Sequence, residues 1–197
     1  DVETLQDGKT VIYGGKKYQY NENITTTLCI GVDQERFSEI DGVKGNNGQA
    51  DALFLYALDT ETGESTIIPI SRDTMVDVDL YSAAGTYVSS SKQQICLAYA
   101  YGDGAHTSCE NTVKSVQRIF YGLPINSYVA IDLKAIDVLS RKVGGVEVTP
   151  TESFTCLDYY FKKGQKVVLK GEKARAFVQA RDESKLDSNL NRMQNQK

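Results

Sequence analysis

A predicted β-hairpin in the first half of the chain constrains the fold more than any other stretch of the sequence. The runs Ala52–Leu58 and Ser65–Ser71 are rich in β-branched and apolar residues, and the polar segment Asp59–Glu64 between them contains a glycine. This arrangement is typical of an antiparallel hairpin. If the turn is centred on that segment, the numbers of paired residues sum to about 123, give or take the one residue that a β-bulge can add. The sequence therefore predicts that Asp51 lies opposite Arg72.

Strand periodicity gives this hairpin an apolar face with charges at one end. Successive side chains of a strand point to opposite faces. Asp51 and Arg72 are therefore predicted to share a face with four apolar residues: Leu53, Leu55, Ile68 and Ile70. The two charges would meet at the open end of the hairpin, at the rim of an apolar surface.

The overall composition fits a soluble globular protein. A chain of 197 residues is long enough for one domain that buries roughly 70% of its unfolded surface, and we expect a single domain over residues 1–197. The net charge of −4 and the pI of about 5.1 argue against nucleic acid as a partner, since such domains usually carry a basic stripe. No run approaches the ~20 apolar residues of a membrane span, and the amino terminus lacks a signal-peptide pattern.

The chain contains four cysteines without a CxxC motif, namely Cys29, Cys96, Cys109 and Cys156. This spacing does not favour a zinc site. Cys29 lies in a predicted strand and is expected to be a small buried apolar residue. Two disulfides are possible by number, and Cys96 with Cys109 is the pair to test, although the sequence does not fix the connectivity.

Hydrophobic periodicity and turn residues predict alternating strands and helices. Single strands are predicted at Ile24–Val32, Met75–Leu80, Asn126–Ile131 and Val146–Val148, and hairpins around Gly14-Gly15 and over Tyr159–Leu169. Helices are predicted at Ile95–Tyr101, Thr107–Tyr121, Leu133–Val143, Glu172–Ala180 and Asn189–Gln196. Thr107 and Glu110 fit a capping box for the second helix, and a serine-rich loop is predicted over Tyr81–Lys92. This order of elements favours an α/β domain with a mixed sheet.

Charged residues at the ends of these elements suggest a site for a phosphate and a cation. Asp33 follows a predicted inner strand and Asp51 precedes another, and Mg²⁺ is usually bound by one or two such carboxylates together with phosphate oxygens. Arg72, Arg181 and Arg192 end other elements, where guanidinium groups can hold phosphate through two parallel hydrogen bonds. For any one of these residues alone, an ordinary solvated turn position is the competing interpretation.

Five stretches of the sequence resemble successive blocks of the LytR-CpsA-Psr (LCP) family of cell-envelope proteins. They occur in the family's order and cover about three quarters of the chain: CIGVDQER, QADALFLYALDTETGESTIIPISRDT, ICLAYAYGDG, VGGVEVTP and GEKARAFVQARDES…DSNLNRMQNQ. The resemblance implies a three-layer α/β/α fold with a central mixed sheet and a polyprenyl pocket beside it. It also implies transfer of a glycopolymer from a polyprenyl-pyrophosphate carrier to peptidoglycan or a related acceptor. Such proteins are anchored by an amino-terminal membrane helix and act on the extracellular face of the cell membrane.

The resemblance assigns roles to residues at matching positions. Asp33, Asp51 and Arg72 are the expected catalytic residues; the two aspartates would face Mg²⁺, and one of them would be the base for the acceptor hydroxyl. Arg72 would also hold the pyrophosphate, and Asp73 would orient Arg72. The remaining residues of the expected substrate-binding set are Arg36, Arg181, Arg192 and Gln196.

The sequence departs from the family pattern at several positions of this set. Amides stand where many members have cations, namely Gln49, Gln94, Gln179 and Asn195, and Arg141 replaces an aspartate before the double glycine. Each charge-assisted bond to phosphate contributes roughly 1.5 to 3 kcal/mol, so four losses predict weaker binding unless Mg²⁺ or the remaining arginines compensate.

The departures leave two functional interpretations open, an active phosphotransferase and a polyprenyl-(pyro)phosphate or glycolipid binder that has lost catalysis. A third, transcriptional regulation, is suggested only by the family's historical name. The acidic charge and the absence of a recognition-helix pattern argue against it.

Overall fold

The computed structural model describes residues 2–4, 9–35, 37 and 48–180. Within these residues the strands are β1 (Val2–Thr4), β2 (Thr10–Tyr13), β3 (Lys16–Gln19), β4 (Ile24–Val32), β5 (Ala50–Asp59), β6 (Ser65–Ile70), β7 (Met75–Tyr81), β8 (Tyr87–Gln94), β9 (Ser127–Ile131), β10 (Val146–Val148), β11 (Phe154–Cys156), β12 (Tyr159–Phe161) and β13 (Val167–Leu169). The helices are α1 (Leu97–Ala100), α2 (His106–Ile119), α3 (Leu133–Lys142) and α4 (Glu172–Gln179). The predicted helix Asn189–Gln196 lies outside the described residues.

The chain divides into two compact units. The first comprises Asp1–Ile30 and Ser38–Ala130, and the second comprises Gly31–Phe37 and Ile131–Lys197. The expectation of one domain over residues 1–197 stays a prediction.

A four-stranded sheet with the order β6-β5-β4-β9 forms the centre of the first unit. Burial alternates along β4, where Thr26, Leu28 and Ile30 are buried between more exposed neighbours, because alternate side chains of a strand face the core. The expectation that Cys29 is a buried apolar residue is not met, since it lies on the other face and is only partly buried. The predicted hairpins around Gly14-Gly15 and over the β5–β6 segment are both present.

A serine-rich strand of the first unit was not predicted. Residues 87–94 form β8, which pairs antiparallel with β7, whereas a loop is predicted for most of this stretch. The strand is largely exposed and contains three consecutive serines. Because it carries no apolar alternation, its strand character comes from pairing with β7 and not from its own pattern.

Helix α2 begins and is capped differently from the prediction. It starts at His106 without a side-chain hydrogen bond from its N-cap residue, so the Thr107–Glu110 capping box is wrong. Instead, the Asp103 carboxylate accepts hydrogen bonds from the backbone N–H groups of Ala105 and Ser108, at 2.8 and 3.1 Å. Burial acts to raise the pKa of Asp103, but these backbone bonds outweigh it and lower the pKa overall.

The second unit has a small aromatic core. Its buried residues are Phe161, Leu169, Ala174, Ala176 and Phe177. The strands β11 and β12 pair with each other, and β10 pairs with β13. The predicted hairpin over Tyr159–Leu169 is therefore wrong, because each of its two strands has a partner from an earlier part of the chain.

Helix α3 occupies its predicted range, but its apolar spacing does not set its buried face. Its N-cap Asp132 accepts a hydrogen bond from the Ala135 N–H. The spacing of Ile136, Leu139 and Val143 favours an inward position for these residues, whereas Leu139 and Val143 are exposed. The buried positions of α3 are Asp137 and Ser140. They are polar because the Ser140 hydroxyl accepts a hydrogen bond from the Gly171 N–H at 2.9 Å and Asp137 pairs with Arg141.

All four cysteines are free, so the Cys96–Cys109 pair named for testing does not form a disulfide. Burial raises the pKa of the Cys109 thiol to about 11, which keeps it protonated near neutral pH. Among the described residues no helix is long and apolar enough to cross a membrane.

Candidate functional site

The β5–β6 hairpin has the predicted register. Leu53 pairs with Ile70 and Leu55 with Ile68, so the numbers of paired residues sum to the predicted value. The polar turn is held by Asp59, whose carboxylate accepts hydrogen bonds from the backbone N–H groups of Glu61 and Thr62. One pair beyond Leu53 and Ile70 on the same face, Asp51 and Arg72 meet in an ion pair, as the sequence predicted.

The face below this ion pair is buried for most of its length. Leu53, Leu55 and Ile70 are all less than 10% exposed. Ile68 shares this face, as predicted, because it pairs with Leu55. It is 36% exposed since it lies nearer the hairpin turn, on strand β6 at the edge of the sheet. The apolar surface therefore lies at the end of the hairpin that carries Asp51 and Arg72.

Arg72 is the most connected charge of this group. Its Nη1 donates to Asp51, its Nη2 donates to Gln49 Oε1, and Nη2 also lies 3.6 Å from Cys96 Sγ. The side chains of Arg72 and Asp51 are each only 18% exposed. Burial acts to lower the pKa of Arg72, but Asp51, Cys96 and Asp73 raise it overall. The guanidinium therefore stays charged and has a fixed orientation.

Asp73 lies beside Arg72, where it was expected. Its Oδ1 is 3.9 Å from Arg72 Nε and accepts a hydrogen bond of 3.2 Å from Gln94 Nε2. This second contact fixes the carboxylate from the neighbouring strand β8. Asp73 can therefore orient the guanidinium, as the resemblance implied.

The remaining predicted site residues are Asp33, Arg36, Arg181, Arg192 and Gln196. Asp33 follows β4, is exposed, and belongs to the second unit. Arg36, Arg181, Arg192 and Gln196 lie outside the described residues, as does Asn195. The structure thus brings together Asp51, Arg72 and Asp73.

Sequence reasoning missed a second charged cluster, in the second unit. Arg175 of α4 forms two parallel bonds to the Glu35 carboxylate, Nη1 to Oε1 at 2.8 Å and Nη2 to Oε2 at 2.7 Å. Its Nε donates to Gln179 Oε1 at 2.9 Å. The four-residue spacing of Arg175 and Gln179, which places them on one helix face, was the available signal; no local pattern indicates the distant Glu35.

The donor chemistry of the two predicted carboxylates fits Mg²⁺. Within the described part of the chain, no group of three or more His, Cys, Asp or Glu residues could hold a metal ion by itself. Mg²⁺ does not require such a group, because it keeps several waters and often uses one or two carboxylates with phosphate oxygens. Asp33 and Asp51 supply carboxylate oxygens of this kind.

Comparison with known proteins places the chain in a family. The LytR_cpsA_psr family model matches residues 3–197. A polyisoprenyl-teichoic acid–peptidoglycan teichoic acid transferase, TagU from Enterococcus faecalis, is 28% identical over 85% of this chain. The corresponding Bacillus subtilis protein TagV is 32% identical over 72% of this chain. The chain spans 50% and 35% of the lengths of these two relatives, respectively.

Solved structures show the same fold. The crystal structure of B. subtilis TagV has a TM-score of 0.67 and 27% identity, and the match covers 89% of this chain and 61% of that chain. A structure described as TagT bound to LI-WTA has a TM-score of 0.61 and 23% identity, covering 96% and 66%, respectively. These similarities confirm the predicted α/β fold with a mixed sheet. Because the family match extends over nearly the whole sequence, this chain belongs to the LytR_cpsA_psr family.

Proposed function

We propose that this chain is the catalytic portion of a cell-envelope phosphotransferase, which moves a glycopolymer from a polyprenyl-pyrophosphate carrier to peptidoglycan or a related surface acceptor. The observation that carries the proposal is the Asp51–Arg72 pair at the end of a hairpin whose adjacent side is buried and apolar. The names of the curated relatives, teichoic acid transferases acting between a polyisoprenyl carrier and peptidoglycan, support the same reaction.

The proposed reaction needs mainly charge neutralisation and positioning. The acceptor hydroxyl oxygen forms a bond to the phosphorus that carries the glycopolymer, and the bridging P–O bond of the pyrophosphate breaks. Polyprenyl phosphate leaves, and the hydroxyl proton passes to a carboxylate, Asp33 or Asp51. Arg72 faces the phosphate oxygens, held in place by Asp51, Gln49 and Asp73.

Mg²⁺ is part of this proposal. Asp33 and Asp51 would hold the ion, which would supply positive charge at the pyrophosphate oxygens. Asp51 would then contact both the ion and Arg72, so that two positive groups share one carboxylate beside the phosphate. Arg36, Arg181, Arg192 and Gln196 complete the proposed pyrophosphate-binding set.

The proposed location is the extracellular face of the cell membrane, where peptidoglycan lies. A membrane helix outside this sequence would anchor the protein there, with the carrier lipid in the adjacent bilayer. Nucleic acid is not a proposed partner, because the chain carries a net charge of −4 and a phosphate backbone is bound through clustered basic residues.

Turnover by the purified protein tests the proposal. A lipid-linked glycan pyrophosphate is supplied with Mg²⁺, and transfer or pyrophosphate cleavage is measured. Asp51→Ala is expected to lower the rate by a factor of about 10² to 10³, because a preorganised charge at the reacting phosphate is lost. Asp77→Ala removes an exposed carboxylate of the same unit and should leave the rate unchanged. Unaltered turnover in Asp51→Ala would remove this residue from the site.

A second candidate function is binding of a polyprenyl phosphate or glycolipid without catalysis. The observation in its favour is that Gln49 and Gln94, which stand where many members have cations, are engaged by Arg72 and Asp73. Tight lipid binding by the wild-type protein, without transfer or cleavage at any Mg²⁺ concentration, would favour this candidate over the first.

A further inference from the structure

Residues 33–35 of the second unit, called here the Asp33 loop, are held by contacts from helices α3 and α4. The first backbone N–H groups of α3 donate to it, from Leu133 to the Gln34 carbonyl at 2.9 Å and from Lys134 to the Glu35 carbonyl at 3.2 Å. From α4, both terminal guanidinium nitrogens of Arg175 donate to the Glu35 carboxylate. Asp33 immediately precedes the two residues that receive these bonds.

The conformation of this loop carries a local cost that these contacts offset. The side-chain oxygen of Gln34 is buried and has no hydrogen-bond partner among the described residues. A buried acceptor without a partner destabilises the conformation that buries it. A loop with such a cost adopts its conformation only when other contacts hold it there.

Arg175 is suited to hold the loop because it is itself fixed. Its side chain is 18% exposed, compared with 60% for Glu35. Gln179, one helical turn further along α4, accepts its Nε–H, so three of the five guanidinium N–H groups donate to three oxygens on two side chains. Two parallel charge-assisted bonds define an orientation that a lysine in this place would not define.

This contact also gives a physical reason for the glutamine at position 179. An arginine at that position would place two guanidinium groups four residues apart on α4, and like charges at this spacing repel each other. The glutamine instead accepts a hydrogen bond from Arg175. The amide at position 179 is therefore matched to the arginine at position 175.

We propose that Arg175, held by Gln179, is a positioning residue that fixes the Asp33 loop through Glu35. The inference rests on the proposed function, since it gives Asp33 its role toward Mg²⁺. It adds to that function a residue pair, Arg175 and Gln179, that places the carboxylate before substrate binds.

The test uses variants of the full chain and two readouts. Arg175→Leu removes the guanidinium, and the charge exchange Glu35→Arg with Arg175→Glu restores an ion pair of opposite polarity. Lys166→Met, which removes an exposed ion pair to Glu147 in the same unit, is the matched control. Hydrogen exchange of segment 31–37 and of the Leu133 and Lys134 amides measures how often the loop opens. The transfer assay gives kcat, KM and the Mg²⁺ requirement.

Arg175→Leu is expected to speed hydrogen exchange in this segment and to lower kcat, each by about tenfold, with a higher Mg²⁺ requirement and little change in KM for the lipid substrate. The charge exchange should recover most of both effects. Gln179→Arg should impair the wild-type protein but have no further effect in the Arg175→Leu background, since its target is then absent. Wild-type exchange rates in Arg175→Leu, or faster turnover in Gln179→Arg alone, would overturn the inference.

The two readouts separate this inference from the proposed function. If the wild-type protein neither transfers nor cleaves the substrate, the proposed function fails, yet the exchange data still decide whether Arg175 fixes the loop. If the protein is active and Arg175→Leu behaves like Lys166→Met in both readouts, the proposed function stands and the positioning role is wrong.

Discussion

At the scale of single residues, three of the four amides that stand, by the family resemblance, where many members have cations form hydrogen bonds to charged neighbours. Gln49 accepts a hydrogen bond from Arg72, Gln94 donates to Asp73, and Gln179 accepts from Arg175. An amide cannot supply the charge of a lysine or arginine, but it can fix the orientation of a neighbouring ion. The chain therefore has amides instead of positive charges at these positions, and each amide fixes the direction of a neighbouring ion, Arg72, Asp73 or Arg175.

Removing the guanidinium of Arg72 should destabilise the first unit. Arg72→Met leaves the largely buried Asp51 carboxylate without its ion-pair partner, so we expect a loss of about 2 to 3 kcal/mol in the free energy of unfolding, measured by urea denaturation. Lys9→Met removes the exposed Lys9–Glu22 pair and should change the free energy of unfolding far less, because water already solvates both charges. Equal losses in the two variants would show that the Asp51–Arg72 pair behaves as a surface pair.

The buried Asp79 carboxylate should make stability depend on pH in the acidic range. Burial acts to raise its pKa, but Ser90 and Arg118 bind it at 2.7 and 2.6 Å and lower the pKa overall from its ordinary value of 3.8. A lowered pKa in the folded state means that the contribution is complete above the unfolded pKa and is lost as the pH falls through the folded pKa.

Asp79→Asn tests this dependence. At pH 7 the variant should be less stable than the wild type by about 1 to 2 kcal/mol, as measured by urea unfolding. The difference should shrink as the pH falls below about 4. A difference that stays constant down to pH 3 would contradict the assigned role of the carboxylate.

At the scale of elements, the sequence was most informative where a turn and an alternating pattern agreed. The β5–β6 register followed from the polar turn and the spacing of apolar residues, and with it the contact between Asp51 and Arg72. Strand β8 was missed because its serines show no such pattern. The partners of β12 and β13 were misassigned because the strands that pair with them, β11 and β10, lie earlier in the chain.

The candidate site was predictable to a similar extent. The register of the β5–β6 hairpin predicted the Asp51–Arg72 ion pair, and the family resemblance added Asp73. The contact between Glu35 and Arg175 joins residues that are 140 positions apart, and nothing in the local sequence of either residue indicates the other. Side-chain contacts of this kind depend on the tertiary arrangement of the unit.

The junction between α1 and α2 contains a close backbone approach that only glycine allows. A Cβ atom at Gly102 would lie 2.3 Å from the Cα atom of Ser108, and because the obstacle is backbone, the helix itself would have to move. Gly102→Ala should lower the free energy of unfolding by about 2 to 3 kcal/mol. Gly122→Ala, with a φ of +84° but open space around it, should cost only about 1 kcal/mol. The reverse order in thermal or urea unfolding would contradict this packing.

At the scale of the whole molecule, family membership and coverage set what can be assigned to this chain. The family match extends over residues 3–197, while the curated relatives are about twice as long or longer. The fold and the Asp51–Arg72 pair belong to the chain itself. The complete transfer reaction is a property proposed for the protein that contains it.

The proposed extracellular location makes the state of the cysteines a test of the whole fold. Disulfides form readily outside the cell, and a bond between Cys96 and Cys109 would contribute roughly 3 kcal/mol in the chain-entropy estimate. The structure has all four thiols free, with both of these residues buried.

We therefore expect four reactive thiols per chain when the protein is denatured without reductant, measured with a chromogenic disulfide reagent. In the native state Cys96 and Cys109 should react slowly because burial raises the pKa of each thiol. A reductant should leave the unfolding temperature unchanged. Two thiols per chain, together with a lower unfolding temperature in reductant, would show that the isolated protein folds around a cross-link that this structure does not contain.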